Sequence, residues 1–259
     1  MLRMCVAVAL LLALGGRSVC ADDPVKGRLD VVRSSKTLRV GTTGDYRPFS
    51  FLNPETKDFE GIDIEMARVF AKALGVQVVF VQTSWPTLMS DFKADMFDLA
   101  VGGISISPER QKLAFFSVPY LRDGKTAIAR CVDQAKYQSL LEIDRPEVRV
   151  VANPGGTNEK FDRANLKYAV IQIYPDNKTI WRQISDGNAD IMITDGSEAR
   201  LWAKEHKDLC AIHPDKMFNS FEKAYLLPRD PEWKVYVDQW LHGEIKNKAY
   251  QAIAGRWGQ

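Results

Sequence analysis

The sequence lacks the short motifs that carry most cofactor and metal chemistry. It has no G-x-G-x-x-G, no G-x-x-x-x-G-K-S/T, no H-E-x-x-H and no paired C-x-x-C motifs. Histidine is scarce, and the three present, His206, His213 and His242, lie in polar segments where solvated side chains are expected. We therefore expect no cofactor and no metal, and Ser-His nucleophilic catalysis is a poor candidate.

A surplus of one charge is also missing. The chain has 35 basic and 33 acidic residues, and two of the basic ones lie in the first 21 residues. A balanced charge argues against nucleic acid or an anionic membrane surface as partner. The apolar stretch near the N-terminus is shorter than the about 20 residues of a membrane span, so no membrane anchor is expected.

The first 21 residues have the pattern of a cleavable secretion signal. Arg3 gives the positive start, Val6 to Leu14 the apolar core, and Val19-Cys20-Ala21 the cleavage site. Cys20 also suggests a lipoprotein, but Arg17-Ser18-Val19 is a poor approach to a lipidated cysteine. We therefore expect a periplasmic protein that keeps 238 of its 259 residues. That length suits one large or two small domains.

Two cysteines remain after removal of this segment. Cys131 and Cys210 form an even pair in an oxidising compartment, which permits a disulfide. Two buried free thiols are the alternative, because spacing along the sequence does not fix the geometry that a disulfide needs.

Strands and helices alternate along the chain. Leu38 to Gly41 reads as a strand, apolar residues recur at helical spacing from Ile64 to Leu74, and Val76 to Val81 reads as the next strand. This alternation predicts parallel sheets with helices on their faces.

The chain also repeats itself. Residues 87–101 (TLMSDFKADMFDLAV) align without a gap with residues 179–193 (TIWRQISDGNADIMI), and each reads as an amphipathic helix, a turn and an apolar strand. Two similar α/β units predict two lobes. We place the first lobe at residues 22–127 and 222–259, and the second at residues 128–221.

Polar residues just after the strands are the candidates for function, because ligands of open α/β sheets bind at the carboxyl ends of the strands. After the strand that ends at Val101, Ser107 and Pro108 predict a helix start, which puts Arg110 in the first turn. A cation there opposes the helix dipole, which favours a role for Arg110 in gripping an anion with its planar fork. An ordinary surface arginine is the alternative.

Two further strand ends come from the second half of the chain. Gly156, Thr157 and Asn158 stand at a predicted helix start, where backbone N–H groups could bind an anion; a glycine-rich turn capped by Thr157 is the alternative. Asp195 and Glu198 follow the second repeat. On pattern alone they form a capping box, which requires no function.

Lys125 and two aromatic residues complete the set. Lys125 precedes a predicted crossing between lobes and by default is a solvated loop lysine. Trp85 directly follows a strand, so its indole could form a cleft wall, although core packing is the commoner fate of a tryptophan. Tyr46 lies in a loop that follows the first strand.

Several of these motifs together resemble the polar amino-acid class of periplasmic solute-binding proteins. They are GTTGDYRPFSF, FEGIDIEMA, DLAVGGISISPERQ, GGTNEKF and the Asp of ITDG. The resemblance implies a two-lobed α/β fold, each lobe a mostly parallel sheet flanked by helices, with the ligand in the cleft between lobes. It implies that Ser105 and Arg110 hold a ligand carboxylate. Tyr46 would stack on the ligand, and Asp195 would take an α-amino group.

Other segments are similar to the cyclohexadienyl dehydratases, a family of enzymes with this same fold. They are TSWPTLM, SVPYLRDGKT, NPGGTNEKF, RANLK, HPDKMF and EKAYLLPRD. The resemblance implies a cofactor-free carbon–oxygen lyase of aromatic amino-acid biosynthesis, which converts prephenate to phenylpyruvate and arogenate to phenylalanine. Glu198 would be the general acid, Lys125 and Asn158 would face the substrate, and Trp85 would shape the cavity.

A solute-binding protein that delivers a polar amino acid to an ABC transporter is the alternative function. The combination of Glu198, Lys125 and Trp85 favours the enzyme, because transport gives no special reason to combine them. In both cases the partner is a small molecule. The sequence does not determine the oligomeric state, and a homo-oligomer is compatible with it.

Overall fold

The computed structural model describes residues 27–258. The predicted signal peptide, residues 1–21, lies outside this range. The α-helices are α1 (Arg28–Ser35), α2 (Ile62–Leu74), α3 (Leu88–Lys93), α4 (Pro108–Gln111), α5 (Leu140–Ile143), α6 (Thr157–Asn165), α7 (Trp181–Ser185), α8 (Gly196–Glu205), α9 (Pro231–Lys246) and α10 (Ala249–Arg256). Within residues 27–258, no helix has the length and apolar character to cross a membrane.

The strands are β1 (Thr37–Thr42), β2 (Asp45–Tyr46), β3 (Ser50–Leu52), β4 (Phe59–Glu60), β5 (Gln77–Gln82), β6 (Leu99–Ala100), β7 (Phe115–Phe116), β8 (Leu121–Asp123), β9 (Lys125–Arg130), β10 (Arg149–Ala152), β11 (Val170–Ile173), β12 (Ile191–Asp195), β13 (Leu209–Ile212), β14 (Phe221–Lys223) and β15 (Leu226–Leu227). A 3-10 helix covers Cys131–Lys136.

Two five-stranded sheets, one per lobe, form the framework. Their strand orders are β5-β1-β6-β15-β7 and β11-β10-β12-β9-β13. In each sheet the first three strands are parallel, and the fourth runs antiparallel to both of its neighbours. Four of the five strands in each sheet therefore share one direction, which agrees with the predicted mostly parallel sheets.

The chain passes between the sheets in two places, through β8 and β14, which pair with each other. The strand that follows β8 is β9, and it already belongs to the second sheet. The predicted boundary between residues 127 and 128 falls inside β9, so we propose that the second lobe begins at Lys125 and ends before β14.

Helix α2 packs the apolar residues that recur at helical spacing into the hydrophobic core of the first lobe. Asp63 and Glu65 stand in its first turn, and Gly75 ends it in a left-handed conformation with φ 71°. Its apolar side, which includes Phe70 at 1% exposure, packs into the core of the first lobe. Replacing a phenylalanine at such a site by alanine costs about 3–5 kcal/mol of stability.

The two sequence repeats fold alike. In the first lobe, the backbone N–H of Arg39 on β1 donates to Asp98 at 2.7 Å, and its guanidinium binds the same carboxylate at 2.7 Å. In the second, Arg149 on β10 makes the corresponding bonds to Asp190 at 2.9 and 2.8 Å. Each aspartate therefore ties the start of the repeat's strand to the strand beside it.

A disulfide joins Cys131 to Cys210, with 4.8 Å between their Cα atoms. Of the two alternatives left by the sequence, the structure has the bridge. It lies within the second lobe and connects the 3-10 helix to β13.

Candidate functional site

A cavity with an empty volume of about 310 Å³ lies between the two lobes. It stands at the carboxyl ends of the parallel strands, because Tyr46 follows β1, Trp85 follows β5 and Asn153 follows β10. Its lining comprises Tyr46, Trp85, Gly103, Ser105, Arg110, Asn153, Gly156, Thr157, Asn158, Asn177 and Asp195. Eight residues predicted from the sequence are thus brought together around one space.

The lobes touch each other beside the cavity. Asn177 of the second lobe donates a hydrogen bond to the backbone oxygen of Asp45 in the first, at 3.0 Å. Gly155 lies against Pro86, and a Cβ at position 155 would come within 2.7 Å of the proline backbone. The cleft is therefore closed, and a closed cleft strengthens the electrostatic interactions inside it.

Arg110 stands on the cavity wall of the first lobe. Ser107 caps α4 and Pro108 is its first residue, as predicted. The Arg110 side chain is buried at 6% exposure and donates to the backbone oxygen of Ser105 at 2.9 Å. Within the described chain no ion pair is formed by Arg110, and burial lowers its pKa to about 10, so it stays charged at neutral pH. The burial excludes an ordinary surface arginine, and a guanidinium that keeps donors beyond its one bond to Ser105 suits a ligand carboxylate.

Two aromatic rings form the adjoining wall. Tyr46 and Trp85 pack edge to face with 5.7 Å between ring centroids. The guanidinium of Arg110 lies 5.9 Å from the Trp85 ring. Both rings line the cavity, so Trp85 is a wall residue as well as a partner of the core beneath it.

The loop after β6 depends on an aspartate that the sequence analysis missed. Gly102 and Gly103 have φ values of 120° and 69°, and a Cβ on Gly103 would lie 2.5 Å from the Tyr46 ring. Their N–H groups donate to the fully buried Asp63 at 2.9 and 2.8 Å, and the Tyr120 hydroxyl donates to the same oxygen. Burial raises the pKa of Asp63 to about 6, although these three bonds oppose the rise.

In the second lobe, helix α6 points its first turn at the cavity. Gly156, Thr157 and Asn158 all line the space. Thr157 is the first helical residue rather than the cap, which is Gly156, and the Glu159 side chain accepts from the Gly155 N–H just before the helix at 2.7 Å. The predicted alternative of a turn capped by Thr157 is therefore wrong, and the amides of the first turn are placed to bind an anion.

Asp195 sits at the centre of a buried polar cluster. Lys125 donates to one carboxylate oxygen and Lys223 to the other, each at 2.5 Å. The Tyr46 hydroxyl also donates to Asp195, across the cleft. Burial alone would raise the pKa of Asp195, but the two ammonium groups outweigh it and hold the pKa well below its ordinary value.

Lys125 is not a solvated loop lysine. It is 2% exposed, and its ammonium also donates to Thr157 at 2.9 Å and to the side-chain oxygen of Asn158. It therefore lies behind the cavity-lining side chains of the second lobe and fixes their positions.

Glu198 is buried at 1% exposure, one helical turn after Asp195. Its carboxyl group accepts a hydrogen bond from the Thr194 hydroxyl, and Asn158 donates to that hydroxyl at 3.2 Å. Burial is the main cause that raises the pKa of Glu198 to about 8, and the charge of Asp195 adds to it. The group is therefore uncharged at neutral pH.

The capping-box interpretation does not hold. Asp195 is the residue before α8, yet its side chain makes no capping hydrogen bond to any described backbone group. Its oxygens are taken by lysine ammonium groups instead, and Glu198 binds a side-chain hydroxyl.

Lys223 is the most important residue that the sequence analysis missed. It is 0% exposed and donates to Asp195, to the Tyr46 hydroxyl at 3.1 Å and to the Gly103 oxygen at 3.1 Å. The one signal in the sequence is a lysine placed directly before the apolar run Ala224 to Leu227. No group of three or more metal-ligating side chains was found within residues 27–258.

Comparison with known proteins places this geometry in a family. Residues 38–259 match the bacterial extracellular solute-binding proteins, family 3. A cyclohexadienyl dehydratase from Pseudomonas aeruginosa is 51% identical over 256 residues, which cover 97% of this chain and 94% of that protein. The L-cystine-binding protein TcyJ of Escherichia coli is 26% identical over 97% of this chain and 92% of its own length.

Solved structures show the same relationship. An ancestral amino acid-binding protein described as a precursor of cyclohexadienyl dehydratase is 31% identical, with a TM-score of 0.83 over 89% of this chain and 99% of that one. An ancestral cyclohexadienyl dehydratase is 49% identical, with a TM-score of 0.57 over 91% and 98%. The predicted two-lobed fold and the resemblance on which it rests are confirmed: the chain belongs to family 3 of the bacterial extracellular solute-binding proteins and is similar along its length to a cyclohexadienyl dehydratase.

Proposed function

We propose that this protein is a periplasmic cyclohexadienyl dehydratase, which converts prephenate to phenylpyruvate and arogenate to phenylalanine without a cofactor. The observation that carries the proposal is the burial of the Glu198 carboxyl group, 1% exposed beside Asp195, which raises its pKa to about 8. The 51% identity to a dehydratase along nearly the whole chain supports it. The periplasmic location follows from the predicted signal peptide and the extracellular character of the family.

The cavity has the groups that a ring compound with two carboxylates needs. Arg110 offers an unpaired guanidinium beside the Ser105 hydroxyl, and the amides at the start of α6 face it from the other lobe. Tyr46 and Trp85 offer apolar ring surface between these two anion sites.

The chemistry requires one proton per turnover. The ring carboxylate leaves as carbon dioxide, and its bonding electrons pass through the ring to break the bond to the hydroxyl group. Hydroxide is a poor leaving group, so Glu198 gives its proton to the departing oxygen, which leaves as water. The ring becomes aromatic, and the Glu198 carboxylate then regains a proton from solvent. A positioned general acid contributes about 10²–10⁴-fold to such a step.

Glu198 stands behind the wall of the cavity rather than on it. Two residues near it do line the space: Asn158, which donates to the Thr194 hydroxyl that binds Glu198, and Asp195, which precedes it by three residues. The mechanism therefore requires that substrate binding opens a path between these two side chains, so that the carboxyl group reaches the ring hydroxyl.

Incubation of the purified protein with prephenate, without any added cofactor, tests the proposal. Phenylpyruvate is expected to appear by its absorbance at a rate far above the spontaneous reaction. A preparation that leaves prephenate unchanged, yet binds a polar amino acid with micromolar affinity, would instead support a binding protein that serves a transporter.

A further inference from the structure

The cavity contains one acidic side chain among its described lining residues, Asp195. A ligand with an α-ammonium group needs an acid of this kind as its partner, because a buried cation without a counter-charge is costly. Whether the carboxylate oxygens of Asp195 are available to a ligand therefore decides whether an amino acid or the corresponding keto acid fits the site better.

Asp195 is already satisfied by the protein. Each of its carboxylate oxygens accepts a lysine ammonium at 2.5 Å, and the oxygen bound by Lys223 also accepts the Tyr46 hydroxyl. One negative charge faces two positive charges, so the cluster Lys125–Asp195–Lys223 is positive as a unit.

The two lysines are held firmly in this arrangement. Lys125 gives its other two hydrogen bonds to Thr157 and Asn158. Lys223 gives its other two to the Tyr46 hydroxyl and the Gly103 oxygen. An ammonium group has three donors, so both lysines are fully bonded within the protein. Moving either lysine away from Asp195 would break hydrogen bonds that the protein already makes.

With Asp123 counted, two acids stand against the two lysines, but Asp123 is not among the cavity-lining residues. Asp123 lies 3.9 Å from the Lys223 ammonium, farther than Asp195, and is bonded to the Gly124 N–H at 2.9 Å and the Ser197 hydroxyl at 2.7 Å. Arg110 adds a further positive charge to the lining itself. A ligand ammonium would therefore meet the charge of Arg110 on one wall and, on the other, an Asp195 whose two oxygens are already bonded to lysines.

We propose that Lys125 and Lys223 occupy the place of a ligand ammonium at Asp195, and that the site therefore selects ring carboxylates without an α-amino group. This inference rests on the proposed dehydratase function and refines it: prephenate, the keto acid, is the preferred substrate over arogenate, the amino acid. Lys223 is a specificity-determining residue that acts through Asp195.

Steady-state kinetics with both substrates test the inference. The kcat/KM for prephenate is expected to exceed that for arogenate at least tenfold. Lys223→Met removes one ammonium and frees one oxygen of Asp195, so the ratio is expected to fall at least tenfold. Lys125→Met serves as a second variant if Lys223→Met fails to fold. Lys72→Met, which removes a positive charge from the exposed end of α2, should leave the ratio unchanged.

A binding measurement separates this inference from the function on which it rests. Calorimetric titration of the wild-type protein should show phenylpyruvate binding at least tenfold more tightly than L-phenylalanine. Absence of prephenate turnover, with this binding preference intact, would reject the dehydratase and keep the selectivity. Equal or tighter binding of L-phenylalanine, or equal kcat/KM values for the two substrates, would overturn the selectivity whatever the turnover.

Discussion

Both lobes place a five-stranded sheet behind the cavity, with strands in corresponding order and direction. Both use an aspartate bound by arginine to hold the strand that ends at the cavity, Asp98 in the first lobe and Asp190 in the second. The residues just beyond those strands differ: the first lobe supplies an unpaired cation, Arg110, and the second supplies two acids. A repeated framework thus carries different chemistry in a few side chains at its strand ends.

The two acids of the second lobe differ as much as the lobes do. Asp195 and Glu198 are one helical turn apart and both are buried. Two lysines keep the pKa of Asp195 low, whereas burial with a single hydroxyl partner raises that of Glu198 to about 8. Neighbouring carboxyl groups whose pKa values are driven apart are suited to different roles, one as a fixed charge and one as a proton donor.

Removal of the proton donor is the strongest test of the different roles assigned to Asp195 and Glu198. Glu198→Gln keeps the size of the side chain and is expected to lower kcat for prephenate by about 10²–10⁴-fold, with substrate binding largely intact. Glu147→Gln, which changes a glutamate of the second lobe whose side chain is 65% exposed, is the control and should retain activity. Near-normal turnover by Glu198→Gln would remove this residue from the role of acid.

Substitution of the two framework aspartates tests whether the lobes are equally dependent on them. The Asp98 side chain is 2% exposed and the Asp190 side chain 14% exposed. Asp98→Asn is expected to lower the free energy of unfolding by about 3 kcal/mol, because a buried charge pair loses one partner. Asp190→Asn should cost about 1–2 kcal/mol.

Urea denaturation followed by circular dichroism measures both costs. Asp215→Asn provides the control, since the Asp215 side chain is 98% exposed and its pairing with Arg200 contributes about 0–1 kcal/mol. If Asp190→Asn lowers the free energy of unfolding more than Asp98→Asn does, the difference in burial between the two side chains does not explain their contributions to stability.

Substitution of Arg110 tests whether the first lobe binds the carboxylate of the substrate. A hydrogen bond to a charged group contributes about 1.5–3 kcal/mol, so Arg110→Met is expected to raise KM for prephenate by about 10–100-fold, with a smaller change in kcat. The control is Arg122→Met, which removes an exposed arginine from β8. An unchanged KM would mean that the carboxylates are held elsewhere.

The pH dependence of turnover gives the smallest but most specific effect. The active form carries a protonated Glu198, and its pKa is raised from the ordinary 4.5 to about 8. Activity is therefore expected to hold below pH 8 and to fall about tenfold per pH unit above it. A profile that instead loses activity through pH 4 to 5, and is flat through pH 8, would contradict an acid of raised pKa.

Much of this arrangement follows from the sequence, because it depends on local patterns. Each of these patterns is read within a short stretch of sequence. They are the strand and helix periodicity, the two segments of the repeat at residues 87–101 and 179–193, and the cap at Ser107. They were enough to place Arg110 just after a strand of the first lobe, and Asp195 with Glu198 just after a strand of the second, whereas the role of Glu198 came from the resemblance.

What the sequence did not predict depends on contacts between distant parts of the chain: the roles of Lys223 and Asp63, and the bonding of the predicted residue Lys125 to Asp195. Lys125 and Lys223 meet at Asp195 because β8 and β14 pair where the chain crosses between lobes, 98 residues apart. Asp63 reaches across 39 residues to the loop after β6. Periodicity says that these residues are in helices or strands, but not which elements lie side by side, so the buried lysine cluster is visible only in the structure.

The central claim is that Glu198 keeps its proton in the closed cleft at neutral pH. Titration of the side-chain carboxyl carbons by ¹³C NMR, in protein labelled at glutamate, measures this directly, and the Glu198→Gln variant identifies the resonance. A midpoint near pH 8 is expected for Glu198. A midpoint at or below its ordinary value of 4.5 would show a carboxylate at neutral pH and would contradict the proposed acid.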